Sequence, residues 1–125
     1  MRTCLVVDDM ETRHQGFEKI LGGKVRMLRA YNCTEAAAWV REMMFDERSK
    51  IDTIFLDHDI DSGTDSRDVS HFVNWLMDNV WIKNTLKNWE TNFFIHSHNP
   101  IGADNMRHTL EFHGFSVKVK RFEAQ

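Results

Sequence analysis

Short apolar runs and longer amphipathic segments alternate along the chain. Each run is too short for a helix, and several are rich in β-branched or aromatic residues, as buried strands are. The pattern predicts five strands, at residues 3–7, 25–30, 51–56, 93–95 and 115–120. The second run alternates imperfectly and the last alternates apolar with polar residues, and both patterns are typical of outer strands.

The segment after the first strand has the spacing of a helix. Phe17, Ile20 and Leu21 lie three and four positions apart, which places them in one apolar stripe. Two consecutive glycines follow and end the segment. The sequence therefore predicts a first helix over residues 11–21 that packs through this stripe.

Three further helices are predicted in the same way. Thr34 is placed to cap the second helix and Asp68 to cap the third. Pro100 suits the first turn of the last helix, and Gly114 ends it. The stretch 81–92 is predicted as an extension of the third helix followed by a connection. The inward-facing residues of the three helices are predicted to be Ala36, Ala37, Val40, Met43 and Met44; Val69, Phe72, Val73, Leu76 and Val80; and Ala103, Met106 and Leu110.

Strands that alternate with helices favour a parallel sheet covered on both faces. The common order for five such units is 2-1-3-4-5, with its switch point between strands 1 and 3. The prediction is therefore one α/β domain over residues 1–125, a three-layer sandwich around a five-stranded parallel sheet. In that order the ends of strands 1, 3 and 4 lie side by side.

Acidic residues stand at two of these strand ends. Asp8 and Asp9 follow the first strand, and Asp57 and Asp59 follow the third. Two unit charges 4 Å apart repel by about 4 kcal/mol at an effective dielectric near 20, so such a cluster needs a cation or protonation. Oxygen ligands favour Mg²⁺, Mn²⁺ or Ca²⁺. We predict a divalent metal site on these four carboxylates, with Mg²⁺ or Mn²⁺ as the metal.

Imidazoles complete the same edge of the sheet. His58 lies between Asp57 and Asp59, and His96 and His98 follow the fourth strand. If strand geometry continues, His96 and His98 share a side of the sheet, and His58 points away from Asp57. The three histidines are predicted to transfer protons or to act as further ligands, which would move the metal preference toward Mn²⁺ or Zn²⁺.

Other residues of the same region suit the binding of phosphate. Ser97 and Asn99 can form neutral hydrogen bonds, and the last helix directs free amides toward an anion. Gly102 allows the backbone to approach closely. Arg13, on the first helix, is either a phosphate ligand or a partner for the acidic pair. Metal-dependent phosphate chemistry is therefore the predicted class of function.

Charge and composition narrow the partners. The formal net charge is −3, so a broad surface for nucleic acid or for an anionic membrane is not expected, and a nucleotide must be held locally. Cys4 and Cys33 are predicted to be reduced thiols of a cytoplasmic protein. No leader pattern and no apolar run of about 18 residues is present, so neither a secretory signal nor a spanning helix is predicted. Packing or surface roles are predicted for the histidines away from the strand ends, which are His14, His71, His108 and His113.

Three motifs carry a family resemblance: Val7-Asp8-Asp9 with Arg13 downstream, Leu56-Asp57-His58-Asp59, and the run from His96 to Met106. The chain resembles the receiver domains of two-component signalling, and more closely their divergent branch, the cyclic-phosphate processing receiver domain. The resemblance implies a receiver-like, flavodoxin-like fold with Asp57 in the place of the phospho-acceptor. It also implies a pocket recast with histidines to act on cyclic phosphates, with Asn105 of the last motif among its substrate-binding residues.

Departures from ordinary receivers favour the recast pocket, because His58 follows the acceptor position and neither Lys118 nor Lys120 precedes a proline. The predicted function is a metal-dependent phosphoesterase that hydrolyses a cyclic phosphate. Its substrate is either the 2′,3′-cyclic end of an RNA or a cyclic nucleotide signal. One alternative is a non-catalytic receiver-like module that binds a nucleotide or a partner. Another is a phospho-accepting receiver, which Ser97 and Lys118 could serve.

A calcium-binding loop is a competing interpretation of the third strand end. The acidic residues that match positions 1, 3, 5, 9 and 12 of such a loop are Asp57, Asp59, Asp61, Asp65 and Asp68. Position 6 is Ser62 where glycine is required, and the last ligand is aspartate in place of glutamate. A predicted strand precedes the loop where a helix is expected, so this interpretation is disfavoured.

Overall fold

A computed structural model of the protein describes residues 1–57, 69–97 and 100–121, with only the backbone at positions 97, 100 and 121. The elements in chain order are β1 (Arg2–Val7), α1 (Glu11–Leu21), β2 (Val25–Ala30), α2 (Cys33–Phe45), β3 (Thr53–Asp57), α3 (Val69–Asp78), α4 (Val80–Asn88), β4 (Asn92–Ser97), α5 (Pro100–Phe112) and β5 (Val117–Arg121). The sheet has the order β2-β1-β3-β4-β5, and its neighbouring strands are parallel. The predicted fold class and strand order are confirmed.

Different helices cover the two faces of the sheet. Alternate strand residues such as Leu5, Ile54 and Ile95 point to one face, where buried residues of α2, α3, α4 and α5 join them in one core cluster. On the opposite face α1 packs through Phe17, whose ring centroid lies 4.9 Å from that of Phe55. The result is three layers, with α1 on one side of the sheet and four helices on the other.

α1 buries a different set of residues from the one that its apolar spacing predicts. Ile20 is 76% exposed, while His14 is fully buried against Tyr31, with ring centroids 4.4 Å apart. The prediction that Ile20 packs inward is wrong, because the face turned to the sheet carries His14, Phe17 and Leu21 at positions i, i+3 and i+7. The predicted packing role of His14 agrees with its burial.

α2 begins with a reciprocal cap. The Asn32 side chain accepts a hydrogen bond of 2.8 Å from the Glu35 amide, and the Glu35 carboxylate accepts one of 2.8 Å from the amide of Tyr31. The prediction that Thr34 is the N-cap is therefore wrong, since Thr34 already lies within the first turn. The buried residues of α2 are Ala36, Val40 and Met43, and Ala37 and Met44 are only partly buried.

The predicted long third helix is two helices. α3 ends at Asp78, and the Asn79 side chain caps α4 by accepting a hydrogen bond of 3.2 Å from the Ile82 amide. Val80, predicted to face inward, is 63% exposed, because the cap starts a new helix that buries Ile82 and Leu86 instead. The predicted cap Asp68 and the loop before it lie outside the described residues.

The last helix and strand follow the prediction more closely. α5 starts at Pro100 and buries Ala103, Met106 and Leu110, as its spacing predicts. β5 is an edge strand and begins at Val117, two residues after the buried Phe115. Among the described helices, none combines the length and the apolar character needed to cross a membrane.

Candidate functional site

The carboxyl ends of β1, β3 and β4 meet at one edge of the sheet. Val7 pairs with Leu56, so Asp8 and Asp57 follow neighbouring residues of adjacent strands. Asp8, Asp9 and Asp57 each offer a ligand atom, and these atoms all lie within 4.8 Å of one another. In the sequence, Asp57 lies 44 residues after Arg13 and still farther after the end of β1. The parallel topology nevertheless brings three of the predicted carboxylates together.

Asp8 is held in place by its own backbone and side chain. Its amide donates to the Ala30 carbonyl at 3.0 Å, which extends the pairing of β1 with β2. Its carbonyl accepts a hydrogen bond of 2.7 Å from the His14 Nε2, and its Oδ1 accepts one of 2.9 Å from the Met10 amide. These bonds fix the direction of the carboxylate before any ligand arrives.

Burial raises the pKa of Asp8 above its usual value, since only 3% of the residue is exposed. The hydrogen bond from Met10 and the charge of Arg13 act in the opposite direction, and the charge of Asp9 adds to the rise. A cation bound at the cluster would favour the ionised carboxylate and oppose this effect of burial.

Arg13 lies between two of the carboxylates. Its Nη1 is 2.9 Å from Oδ2 of Asp57 and 3.3 Å from Oδ2 of Asp8. Both carboxylates are almost completely buried, whereas the arginine side chain is 23% exposed. The sequence leaves two roles open for Arg13. In the structure Arg13 pairs with the acidic residues.

His96 lies level with Asp57, as its Cα partner on β4. Its ring packs against Phe94 and Phe17, with centroids 5.1 and 5.9 Å away. Burial lowers the pKa of His96, and the charges of Arg13 and Lys120 lower it further. The imidazole is therefore neutral near pH 7, and a neutral imidazole can accept a proton.

Lys120 joins the same row of residues. It is the Cα partner of His96, so Asp57, His96 and Lys120 are level on β3, β4 and β5. Lys118, which the sequence analysis names with Ser97 as able to serve phospho-acceptance, pairs with Phe94, two residues before His96. The alternation of β5 places both lysines on one face, but only the register with β4 singles out Lys120.

Two of the remaining predicted site residues lie on α5. Gly102 is half-buried in the first turn of α5, and Asn105, one turn further on, is exposed. Ser97 ends β4, and its side chain is not among those described. Outside the described residues lie His58, Asp59, His98 and Asn99, together with the later positions of the disfavoured calcium loop.

The donor set suits a hard divalent cation. Carboxylate oxygens are the ligands that Mg²⁺, Mn²⁺ and Ca²⁺ prefer, and the three aspartates can carry three negative charges against the single positive charge of Arg13. Asp9 is partly exposed, whereas Asp8 and Asp57 are buried. The residues present therefore fit a divalent metal.

Solved structures with a similar fold include receiver domains and response regulators. The phosphorylated cyanobacterial phytochrome response regulator RcpA matches with a TM-score of 0.69 at 12% identity, over 99% of this chain and 82% of its own. CheY4 of Vibrio cholerae matches with a TM-score of 0.66 at 17% identity, over 98% and 89%. A response regulator of Burkholderia pseudomallei, solved with a phosphorylated aspartic acid, a calcium ion and citrate, matches at 0.64 and 15% identity, over 100% and 62%. At these identities the likeness shows the fold, which is that of a receiver domain.

The sequence identifies the branch of receivers. The model of the family described as the cyclic-phosphate processing receiver domain matches residues 3–112. The chain belongs to the cyclic-phosphate processing receiver domain family, as the motifs at the strand ends predict. No curated protein matched the chain.

Proposed function

We propose that this protein is a metal-dependent phosphoesterase that hydrolyses a cyclic phosphate, either a 2′,3′-cyclic RNA end or a cyclic nucleotide. The observation that carries the proposal is the meeting of Asp8, Asp9 and Asp57 within 4.8 Å, with His96 beside Asp57. The cluster can take a dication, and the imidazole adds a group for proton transfer. Membership of the family supports a cyclic phosphate as the substrate.

Asp8, Asp9 and Asp57 would hold Mg²⁺ or Mn²⁺, and Asp59 would assist. Bound there, the cation supplies a Lewis acid for phosphate oxygens and lowers the pKa of a coordinated water. The hydrogen bonds that fix Asp8 spare the site much of the reorganisation that binding would otherwise require.

His96 takes the role of general base in this proposal. A bond forms between the water oxygen and phosphorus, one ester P–O bond breaks, and the proton lost by the water ends on the departing alkoxide. His96, neutral near pH 7, accepts the proton of the water, His58 or His98 gives a proton to the leaving oxygen, and transfer of the proton from His96 to that histidine through solvent closes the balance. Further contacts to the substrate are proposed for Ser97, Asn99, Gly102 and Asn105.

Arg13 and Lys120 provide positive charge on both sides of His96. The Arg13 guanidinium can turn from the carboxylates to a non-bridging phosphate oxygen once a cation takes over the neutralisation of Asp8 and Asp57. Lys120, next to His96, balances the negative charge that the phosphate adds.

A substrate screen by chromatography tests the proposal. Cyclic mono-, di- and oligonucleotides and RNA with a 2′,3′-cyclic end are incubated with Mg²⁺, Mn²⁺ or EDTA. Wild-type protein should open a cyclic phosphate only with metal, and Asp57→Asn and His96→Gln should each reduce turnover at least a hundredfold while folding normally. The matched controls are the exposed Asp78→Asn on α3 and His108→Gln on α5, which should retain turnover. Full activity in both site variants would reject the assignment.

A second candidate is phospho-acceptance by Asp57. The level row of Asp57, His96 and Lys120 favours it, because Lys120, two strands from Asp57, can extend its side chain toward the charge added by phosphorylation. Incubation with acetyl phosphate followed by intact-mass measurement separates the two functions. A phosphoryl adduct on wild-type protein that is lost in Asp57→Asn, without cyclic-phosphate turnover, would favour signalling. Tight nucleotide binding with neither adduct nor product would favour the non-catalytic module.

A further inference from the structure

Four aromatic rings form a continuous patch on the α1 side of the sheet, next to the carboxylate site. The centroid distances are 4.9 Å between Phe17 and Phe55, 5.5 Å between Phe55 and Phe94, and 5.1 Å between Phe94 and His96. His96 and Phe17 close the ring of contacts at 5.9 Å. All four residues are only half-buried. We call this patch the aromatic face, and its member His96 belongs also to the proposed site.

Two exposed lysines border the aromatic face on the edge strand. Lys118 is the Cα partner of Phe94, and Lys120 is the Cα partner of His96. In a parallel pair, partner residues point to the same side of the sheet, so the lysines stand on the same side as the rings. The effect of the Lys120 charge on the pKa of His96 agrees with this placement.

The aromatic face has less helical cover than the other side of the sheet. Buried residues of α2, α3, α4 and α5 pack with the opposite set of strand residues, such as Phe93 and Ile95. On the near side α1 reaches the sheet through Phe17, while Lys118 and Lys120 on β5 are exposed. Because β5 is the edge strand, a bound chain can leave the surface at the rim.

We propose that the aromatic face and its two lysines bind the last nucleotides of a single-stranded RNA whose 2′,3′-cyclic phosphate occupies the carboxylate site. Aromatic rings on the face of a sheet stack bases of single-stranded nucleic acids through their accessible part, and lysines bind the backbone phosphates. This inference rests on the proposed function and selects the RNA end from its two substrate classes.

Distances across the sheet favour an oligonucleotide over a cyclic mononucleotide. Neighbouring strands lie about 4.8 Å apart, so β5 is roughly 10 Å from β3, where Asp57 lies. Lys118 is a further two residues, about 6.6 Å, back along its strand from Lys120. Lys120 is therefore nearer to a phosphate held at Asp57 than Lys118 is, and Lys118 is placed for a second phosphate, one that a mononucleotide lacks.

The test is a binding measurement by fluorescence anisotropy in EDTA, where the proposed hydrolysis is off. The probe is a 5′-fluorescein-labelled uridine hexanucleotide with a 2′,3′-cyclic end, and the competitors are the same hexanucleotide with a 3′-hydroxyl and uridine 2′,3′-cyclic monophosphate. Phe94→Leu removes a stacking ring and Lys118→Gln removes a charge. Phe94→Tyr keeps the ring, and Lys24→Gln changes an exposed lysine that precedes β2, at the opposite end of the sheet. Thermal unfolding checks that each variant is folded.

Wild-type protein should bind the hexanucleotide more tightly than the cyclic mononucleotide. Phe94→Leu and Lys118→Gln should each weaken hexanucleotide binding about tenfold, whereas Phe94→Tyr and Lys24→Gln should bind as wild type does. Lys118→Gln should also reduce the slope of log affinity against log salt by about 0.7, the value for one phosphate contact on a single strand.

Failure of this inference differs from failure of the proposed function. One outcome is that the protein hydrolyses the cyclic mononucleotide while Phe94→Leu and Lys118→Gln bind the hexanucleotide as wild type does. That result overturns the proposed RNA surface and leaves the phosphoesterase in place. If binding depends on both residues but no cyclic phosphate is opened with any metal, the surface is supported and the phosphoesterase is rejected.

Discussion

Arg13 neutralises two buried carboxylates that would otherwise repel each other. Its guanidinium contacts Asp57 and Asp8 at 2.9 and 3.3 Å. A metal ion would be attracted to the same carboxylates. A dication at the cluster would compete with the arginine for the same oxygens. In this account metal binding releases Arg13 toward the substrate, which couples the filling of the metal site to phosphate recognition.

The variant Arg13→Met tests this competition. Without metal, Arg13→Met should lower the free energy of unfolding by about 2 kcal/mol. This loss is smaller than that from breaking a fully buried ion pair, because the arginine side chain is 23% exposed. The variant should also tighten Mg²⁺ binding at least fivefold, since a positive charge beside the ion is gone. Urea unfolding in EDTA and calorimetric titration with Mg²⁺ measure the two effects. Arg107→Met, at a partly exposed arginine that pairs with Asp104 on α5, is the control, and weaker Mg²⁺ binding by Arg13→Met would contradict the competition.

His96 predicts a pH dependence of stability. Burial, Arg13 and Lys120 lower the pKa of His96 below 6.5, so the folded protein binds fewer protons than the unfolded chain between that lowered pKa and 6.5. Stability must then fall as the pH drops through this window, and His96→Gln should remove that part of the fall.

NMR titration of the metal-free protein measures the same group directly. The midpoint of His96 should lie below 6.5, and Lys120→Met should move it upward, because a repelling charge is lost. Lys24→Met, at the far end of the sheet, should leave the midpoint in place. A midpoint above 6.5 would show that His96 is not in this buried and positively charged environment.

At the scale of single elements, the ends of the helices depend on capping residues. The cap of α2 predicts that Asn32→Ala costs about 1 kcal/mol of stability, because the Glu35 amide loses its acceptor. Asn32→Asp should remain within a few tenths of a kcal/mol of wild type, since a carboxylate accepts the same hydrogen bond and favours the helix N-terminus. Chemical denaturation compares the variants, and equal stability of Asn32→Ala and Asn32→Asp would contradict the cap.

Element type follows from the sequence more reliably than element ends and rotations do. Residues 32 to 34 offer three adjacent polar or small side chains, and only the direction in which the chain leaves β2 selects Asn32 as the cap. In α1 the apolar spacing includes Ile20, but the helix packs on the sheet through a different face, which carries the buried His14. Apolar periodicity cannot identify such a face, because His14 is buried through its bond to the Asp8 carbonyl.

At the scale of the whole molecule, the alternation of strands and helices is enough to predict the sheet order. That order places the ends of β1, β3 and β4 together, so the site at Asp8, Asp57 and His96 can be predicted without coordinates. The sequence does not predict the contacts of Arg13, which depend on the rotation of α1. Nor does it predict that Lys120 lies level with His96, which depends on the register of β5.

The burial pattern of the molecule predicts unequal effects for two isoleucines. Ile54 is fully buried in the central strand β3, and Ile20 is 76% exposed on α1. Ile54→Ala should lower the free energy of unfolding by about 3 kcal/mol, through lost burial and a cavity. Ile20→Ala should change it by less than about 0.5 kcal/mol. Urea denaturation measures both, and a comparable loss in Ile20→Ala would show that α1 packs through its apolar stripe after all.

We expect carboxylates from β1 and β3 to bind a cation that supports hydrolysis of a cyclic phosphate. The decisive experiment is phosphorus NMR of an RNA oligonucleotide with a 2′,3′-cyclic end, incubated with the protein and Mg²⁺ or Mn²⁺. Wild-type protein should convert the cyclic diester signal to that of a monoester, and Asp57→Asn or EDTA should leave it unchanged. Calorimetric titration shows whether the metal is bound under the same conditions. An intact cyclic diester beside a metal-loaded wild-type protein would contradict the account.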